Sequence, residues 1–304
     1  MNHPEKLERG LWGVLATPFV GKQGSVDGAS LRRLVHDQLA AGASGLVVLG
    51  VFGEGARLST AERLEVVRIV DEVADARPLV LGLAEHETGA VITQAQQLIK
   101  AVVSGTPSLM VQVPTTEPHE LAAHLVRIHE ATGAGIVVQD YPLASNVKIS
   151  SAALLDAVQR CSAVVAIKSE APPTSSAIAE LASKTDIPVF GGLGGLGLLD
   201  ELMAGAAGAM TGFSHPSALR ATITAWEEGG YEAARATYLP WLPLVNFEAQ
   251  AVIGLSIRKM SMFHRGLIAD PAVRPPALPM PDSLRPLLES HLRATQSVES
   301  ARWI

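Results

Sequence analysis

Val164-Val165-Ala166-Ile167-Lys168 is a run of four apolar residues ending on a lysine. Seven runs of the same kind are spread along the chain: Gly13–Thr17, Gly45–Gly50, Pro78–Leu83, Ser108–Val113, Gly135–Gln139, Ile187–Gly191 and Ala207–Thr211. Each is too short for a typical helix and too continuously apolar for a sheet with one wet face. Buried parallel strands read this way.

Between the runs the apolar spacing changes to that of helices. Leu31, Leu34, Val35 and Leu39 form one stripe, and Leu64, Val67, Val70 and Ala74 another. Ser59-Thr60-Ala61-Glu62 has the pattern of a capping box opening the second of these. The units repeat at intervals of roughly 20 to 30 residues. Eight of them predict an α/β chain folded as a (β/α)8 barrel with a C-terminal helical extension. The competing arrangement is an open doubly wound sheet, because periodicity does not reveal closure. No G-x-G-x-x-G follows the first strand, which weakens a dinucleotide-binding reading.

The alternation stops after Gly229-Gly230. The division expected is a catalytic barrel over 1–230 and an extension over 231–304 that packs on it. The extension reads as helical and apolar from Tyr231 to about Phe263, then Pro-rich from Asp270 to Pro281, with a final helix over Asp282 to Leu292.

Composition narrows the class. The 304 residues are 48% hydrophobic and 18% charged, enough for a sizeable core and unlike a disordered chain. The net charge of −6 and the lack of a basic run argue against nucleic acid as a partner. The one cysteine, Cys161, cannot form an internal disulfide, which fits a cytoplasmic protein; it reads as a small buried side chain rather than a nucleophile. No apolar stretch approaches the roughly 20 residues that span a bilayer, so no membrane partner is expected.

In a barrel of this kind the chemistry sits where strands end. Lys168 is the one lysine placed there; Lys6, Lys22, Lys100, Lys148, Lys184 and Lys259 fall in the terminus, loops or helices. Burial at a strand end disfavours the charged ammonium, and only a neutral amine can add to a carbonyl. The alternative is a structural lysine paired with a carboxylate such as Glu170. Glu170 shares a strand face with Lys168 if the strand persists, and is itself a candidate proton carrier. Glu54 lies in a Gly-rich turn and either holds that turn through backbone amides or acts in catalysis. Glu85-His86-Glu87 resembles a metal cluster only superficially, since adjacent strand residues face opposite ways, so no metal site is expected. His86 is better read as a polar substrate contact.

These strand ends, in order, resemble the dihydrodipicolinate synthase / N-acetylneuraminate lyase superfamily of class I aldolases. The resemblance spans about residues 10 to 265. It rests on Gly13-Val14 to Thr17-Pro18-Phe19, on Gly50-x-x-Gly53-Glu54, on Pro142 after strand five, on Lys168, and on Gly208-Ala209. It implies an imine between Lys168 and a 2-oxo acid such as pyruvate, with no metal or organic cofactor, in a homo-oligomer that is often a tetramer. Several positions depart from the family's pattern. Val51 and Phe52 replace hydroxyl residues that bind the substrate carboxylate, leaving that task to backbone N–H groups such as those of Phe52 and Gly53. Gln139 stands where the proton-relaying tyrosine usually is, with Tyr141 two residues on. Thr115 and Thr116 stand where a second tyrosine would be. Ala144 lies near the position of an arginine used by 4-hydroxy-tetrahydrodipicolinate synthases.

A finer resemblance is to the branch containing 2-dehydro-3-deoxy-L-arabonate dehydratase. It is carried by Gln139-Asp140-x-Pro142, Lys168-x-Glu170-x-Pro172, Gly208-Ala209-Met210-Thr211-Gly212 and Trp241-Leu242-Pro243-Leu244, with Phe52 and His86 also matching. Leu193 and Gly194 replace acidic residues there, so this site is less polar than a sugar acid would want. The function implied is a Schiff-base lyase acting on a 2-oxo acid, either a pyruvate-type aldolase or a 2-keto-3-deoxy sugar acid dehydratase. A 4-hydroxy-tetrahydrodipicolinate synthase, a metal-dependent aldolase and a catalytically impaired 2-oxo acid binding relative are the alternatives. The catalytic residues expected are Lys168, Gln139, Tyr141 and Glu170. Val51, Phe52, Gly53, His86, Thr116, Gly192 and Met210 are expected to bind substrate.

Overall fold

The apolar runs form eight parallel strands hydrogen-bonded in chain order, with the first strand also paired to the last. The strands are β1 (Gly10–Val14), β2 (Gly45–Val48), β3 (Leu79–Gly82), β4 (Ser108–Gln112), β5 (Ile136–Asp140), β6 (Val164–Ser169), β7 (Val189–Phe190) and β8 (Gly208–Thr211). A bridge between Gly191 and Ala209 joins β7 to β8, so the sheet is a closed barrel rather than an open one. This computed structural model describes residues 4–21 and 24–301, the side chains of 296–301 excepted.

Strand one begins and ends about three residues earlier than its apolar run. Leu15, Ala16 and Thr17 are as buried as strand residues, and the Leu15 amide carries the last bond to the neighbouring strand, to the Val47 carbonyl at 2.9 Å. The helices follow the expected stripes: α1 (Gly28–Ala40), α2 (Thr60–Val73), α3 (Thr88–Ile99), α4 (Pro118–Thr132), α5 (Ser151–Gln159), α6 (Thr174–Ala182), α7 (Leu198–Met203) and α8 (Pro216–Tyr238). The capping box at α2 is formed: Ser59 accepts from the Glu62 amide at 3.3 Å, and Glu62 from the Ser59 amide at 2.8 Å.

Two apolar layers follow from strand alternation. Outward-facing side chains such as Leu46, Leu81, Leu109 and Ile167 meet the helix stripes in the main core. Inward-facing Trp12, Val47, Val80, Val137 and Phe190 fill the barrel, with Trp12 and Phe190 in an edge contact at 6.5 Å between centroids. Each large side chain buried in these layers contributes roughly 1.5–3 kcal/mol. Cys161 belongs to the outer core, and burial pushes its thiol up.

Beyond β8, α8 carries one non-helical residue, Gly230, with φ 68°. The chain continues through α9 (Leu242–Glu248), α10 (Gly254–His264) and α11 (Arg285–Ala301). Tyr238, Trp241, Leu244, Ile257 and Leu288 from this part share one apolar cluster with Leu198, Leu202 and Leu219 of α7 and α8. That packing brings the N-terminal half of α10 to the barrel mouth. No helix among the described residues is long and apolar enough to cross a membrane.

Candidate active site

A cavity of about 700 Å³ opens at the C-terminal ends of the strands. Its inner wall is made by strand residues whose side chains point into the barrel, including Val14, Val47, Met110, Gln139 and Lys168. Register decides which of these meet. Gln139 of β5 is the Cα partner of Lys168 of β6, so the two side chains stand next to each other on one face.

The β6 ladder persists past its last strand residue, since the Glu170 amide donates to the Asp140 carbonyl at 2.8 Å. This sets Lys168 and Glu170 on the same face, two residues apart. Lys168 Nζ lies 3.1 Å from Glu170 Oε2, and both side chains are under a tenth exposed. Gln139 Nε2 donates to the same oxygen at 2.7 Å, and the Leu193 amide donates to Oε1 at 3.2 Å. Glu170 is thus a carboxylate fixed from three sides against the lysine. The ion pair that a purely structural lysine would make is present, and it lies on a cavity wall, where a structural pair has no need to be. Gly192 makes room for it: a Cβ there would stand 2.2 Å from Glu170 Oε1.

Tyr141 also lines the cavity, at the start of the helical turn Pro142–Ser145. Burial first, and then Glu170, pushes its phenol up, so it stands protonated as a donor. Between Gln139 and Tyr141, Asp140 faces out of the barrel. Burial and then Glu170 raise its carboxyl to about 6.

The turn after β2 forms another part of the wall through Gly50, Val51 and Phe52. It is built under steric constraint. Leu49 and Glu54 have φ of 61° and 54°, and a Cβ on Gly55 would stand 1.9 Å from the Leu49 carbonyl oxygen. Thr17 Oγ1 donates to the Gly53 carbonyl at 2.7 Å. The amides of Val51, Phe52 and Gly53 donate to no protein group among the described residues. Free amides on successive residues suit an anion. Glu54 does not bind the amides of its own turn. Its carboxylate instead takes Lys259 Nζ from α10 and the Arg274 amide at 2.8 Å. Tight local geometry keeps Glu54 from its neighbours' N–H groups and leaves it facing the extension.

The remaining expected contacts are not brought to this cavity. His86 is exposed: the Ala84 and Glu85 amides are drawn to Gln94 Oε1 of α3 at 3.0 and 3.3 Å, which carries the segment away from the mouth. Glu87 beside it caps α3, where the Gly89 and Ala90 amides hold its carboxyl low. Thr116 is exposed at the entry to α4, and Met210 is fully buried in the barrel interior. Gly53 lies inside the turn and Gly192 behind Glu170, so neither forms cavity wall. Among the described residues no three His, Cys, Asp or Glu side chains converge where an ion could be held.

The extension also contributes to the wall, and its two charged residues there have no strand-end signature. Arg258 of α10 lines the cavity with its guanidinium 5.4 Å from the Phe52 ring centroid. Glu248 of α9 stands 3.9 Å from Arg258 Nε and is buried. The signal available for Arg258 is an Arg-Lys pair in a helix that has no other Lys, Arg, Asp or Glu. Adjacent helical residues point about 100° apart, so Lys259 reaches Glu54 while Arg258 faces the cavity.

Residues 7–295 match the dihydrodipicolinate synthetase family. The chain is 33% identical over 284 residues to the L-2-keto-3-deoxyarabonate dehydratase of Azospirillum brasilense, covering 90% of this chain and 89% of that protein. It is 28% identical over 271 residues to the 4-hydroxy-tetrahydrodipicolinate synthase of Kineococcus radiotolerans, covering 87% and 86%. Among solved structures, the dihydrodipicolinate synthase of Rhodopseudomonas palustris superposes with a TM-score of 0.86 at 27% identity, covering 96% of this chain and all of that one.

Proposed function

The chain belongs to the dihydrodipicolinate synthetase family and is a lyase of that family, and from this we propose that it holds a 2-oxo acid as an imine on Lys168 and dehydrates it across C3 and C4. The observation that carries the reading is the Lys168–Glu170–Gln139 cluster on the cavity wall.

Lys168 passes its proton to Glu170 across their contact and adds through Nζ to the C2 carbonyl, and the carbinol oxygen leaves as water with that proton, giving an iminium. The C1 carboxylate rests on the free amides of Val51 and Phe52 in the turn after β2. Glu170, touching Lys168, takes a proton from C3, and the electrons run into the iminium nitrogen to give an enamine. The enamine expels the C4 hydroxyl, which leaves as water with the proton returned from Glu170. Hydrolysis of the imine frees Lys168. Glu170 takes over the proton transfer that a tyrosine at the position of Gln139 performs in the family pattern, and Gln139 orients the carboxylate. Tyr141, kept protonated by burial, steadies the departing oxygen with a hydrogen bond and keeps its own proton. The lysine supplies the electron sink, so the scheme uses no metal or organic cofactor.

A dehydration is favoured over condensation because a carboxylate, not a tyrosine relay, stands at the imine. It is also the reaction in the name of the Azospirillum relative. Assembly as a homo-oligomer in the cytoplasm belongs to the same proposal, and light scattering on the purified protein reads the oligomeric state. The test of the chemistry is turnover of 2-keto-3-deoxy-L-arabonate and related 3-deoxy-2-oxo acids by the wild type and Glu170→Gln. A dehydrated product from the wild type and a loss of kcat in the variant support it. A C3–C4 cleavage product such as pyruvate would replace dehydration by retro-aldol chemistry.

A further inference from the structure

The cavity holds one permanent cation that nothing in the scheme above uses. Arg258 is 14% exposed in its side chain and lies on the cavity wall. Its Nε is buried with no hydrogen-bond partner, and among the described residues none of its N–H groups donates to any protein acceptor. The nearest carboxylate, Glu248, is 3.9 Å from Nε, outside hydrogen-bond range. Glu248 spends its oxygens elsewhere, on the Ser214 hydroxyl and on the Ser214 amide at 3.2 Å. A guanidinium carries five donors in a planar fork, and leaving them unmet next to protein is costly. Burial acts on it in one direction and Glu248, Tyr141 and Glu170 in the other, yet arginine stays charged throughout the working range of pH.

The surroundings hold this fork in place without filling it. The Phe52 ring stacks near the guanidinium, with 5.4 Å from its central carbon to the ring centroid. Gly194 has no side chain where one would collide, since a Cβ there would lie 2.3 Å from Nη2. The wall and rim near it are apolar: Val51, Leu143, Leu196 and Val252 are all exposed there, between 45% and 77%. Such a surface offers little to a chain of hydroxyls. It suits a short carbon chain that ends in an anion.

We propose that Arg258 receives a second carboxylate, at the far end of the substrate from the imine, so that the 2-oxo acid taken by this protein is a dianion. The inference rests on Lys168 as the imine-forming residue. The C1 carboxylate already has the free amides of the β2 turn, which are neutral donors on a different element. The guanidinium on α10 is a cationic donor set that no protein acceptor meets among the described residues, and a bidentate carboxylate is the ligand its geometry fits. Arg258 is therefore a specificity-determining residue, acting through direct contact with the distal group.

The experiment compares acids of equal length that differ only in a terminal carboxylate: 2-oxoglutarate with 2-oxopentanoate, and 2-oxoadipate with 2-oxohexanoate. Each is titrated with borohydride, and the concentration giving half-maximal adduct on Lys168 is read by mass, with pyruvate as the common reference. In the wild type at least one dicarboxylate is expected to half-saturate at a concentration roughly ten- to a hundredfold below its monocarboxylate partner, the range for a charge-assisted contact. Arg258→Met is expected to bring that ratio near one, and Arg258→Lys to keep part of it. A ratio near one for both pairs in the wild type overturns the inference and needs no variant to fold. A ratio that survives in Arg258→Met overturns it too. So does a variant that weakens pyruvate and both members of each pair alike, since the guanidinium would then grip C1. Adduct formation with pyruvate but no dicarboxylate preference removes this inference and leaves the imine chemistry standing. No adduct from any acid removes both.

Discussion

Lys259 of α10 is buried against Glu54, 205 positions away in the chain, and its ammonium is the main partner of that carboxylate. The pair ties the turn that forms the proposed C1 carboxylate site to the helix that carries Arg258. Lys259 also donates to the Ala272 carbonyl at 2.9 Å and lies 4.3 Å from the Phe19 ring centroid. Both charges are out of water, with side-chain exposures of 0% and 3%, so neither tolerates loss of the other. Lys259→Met and Glu54→Gln are each expected to cost roughly 3–5 kcal/mol. The double variant should cost clearly less than the sum. Urea denaturation of the four proteins in a double-mutant cycle checks this, and additive costs would show that the two residues do not act as a pair.

Glu170→Gln keeps the shape of the cluster and removes the proton carrier. The expected effect is a fall in kcat of about 10²- to 10⁴-fold with KM much less affected. A change confined to KM would make Glu170 a binding group instead.

Gly192→Ala removes no chemical group at all. Its methyl would stand 2.2 Å from Glu170 Oε1, so the carboxylate has to leave Lys168. A displacement of that size costs on the order of 10²-fold in turnover. Steady-state kinetics with a circular dichroism control reads it, and unchanged kcat would mean that the position of Glu170 is not critical.

Asp140 gives a pH signature for stability. Its carboxyl is raised to about 6 in the folded protein from 3.8, mainly by burial. A raised folded-state value means the contribution is fully present below about pH 4 and is lost as pH climbs through about 6. Asp140→Asn is therefore expected to stabilise at pH 8 by up to about 3 kcal/mol, at 1.36 kcal/mol per unit, and to have no such effect below pH 4. Glu201, raised to about 7 by burial, should give the same sign over a window extending to higher pH. Urea titrations of wild type and Asp140→Asn at pH 4 and pH 8 check the sign, and equal differences at the two values would contradict it.

The barrel was legible because parallel strands buried on both faces leave continuous apolar runs, and closure alone needed the Gly191–Ala209 bridge to be seen. The apolar run of strand one reaches past the strand's end because Leu15 to Thr17 stay as buried as the ladder residues before them. Lys168, Gln139 and Glu170 could be found because strand register and alternation, both local rules, place them. His86 and Thr116 stand outside the cavity because the chain leaves the barrel axis soon after β3 and β4, and hydrogen bonds to α3 and within the entry to α4 decide where it goes. Arg258 and Glu248 were missed for a different reason. They reach the cavity only through the packing of the extension on α7 and α8, which no local spacing encodes.

The central claim is the imine on Lys168, and borohydride trapping with 2-oxo acids, read by intact and peptide mass, tests it most directly. The account expects a stable adduct on the peptide containing Lys168 in the wild type and none in Lys168→Ala. Folded wild-type protein that traps no 2-oxo acid, or an adduct that persists in Lys168→Ala, would contradict it.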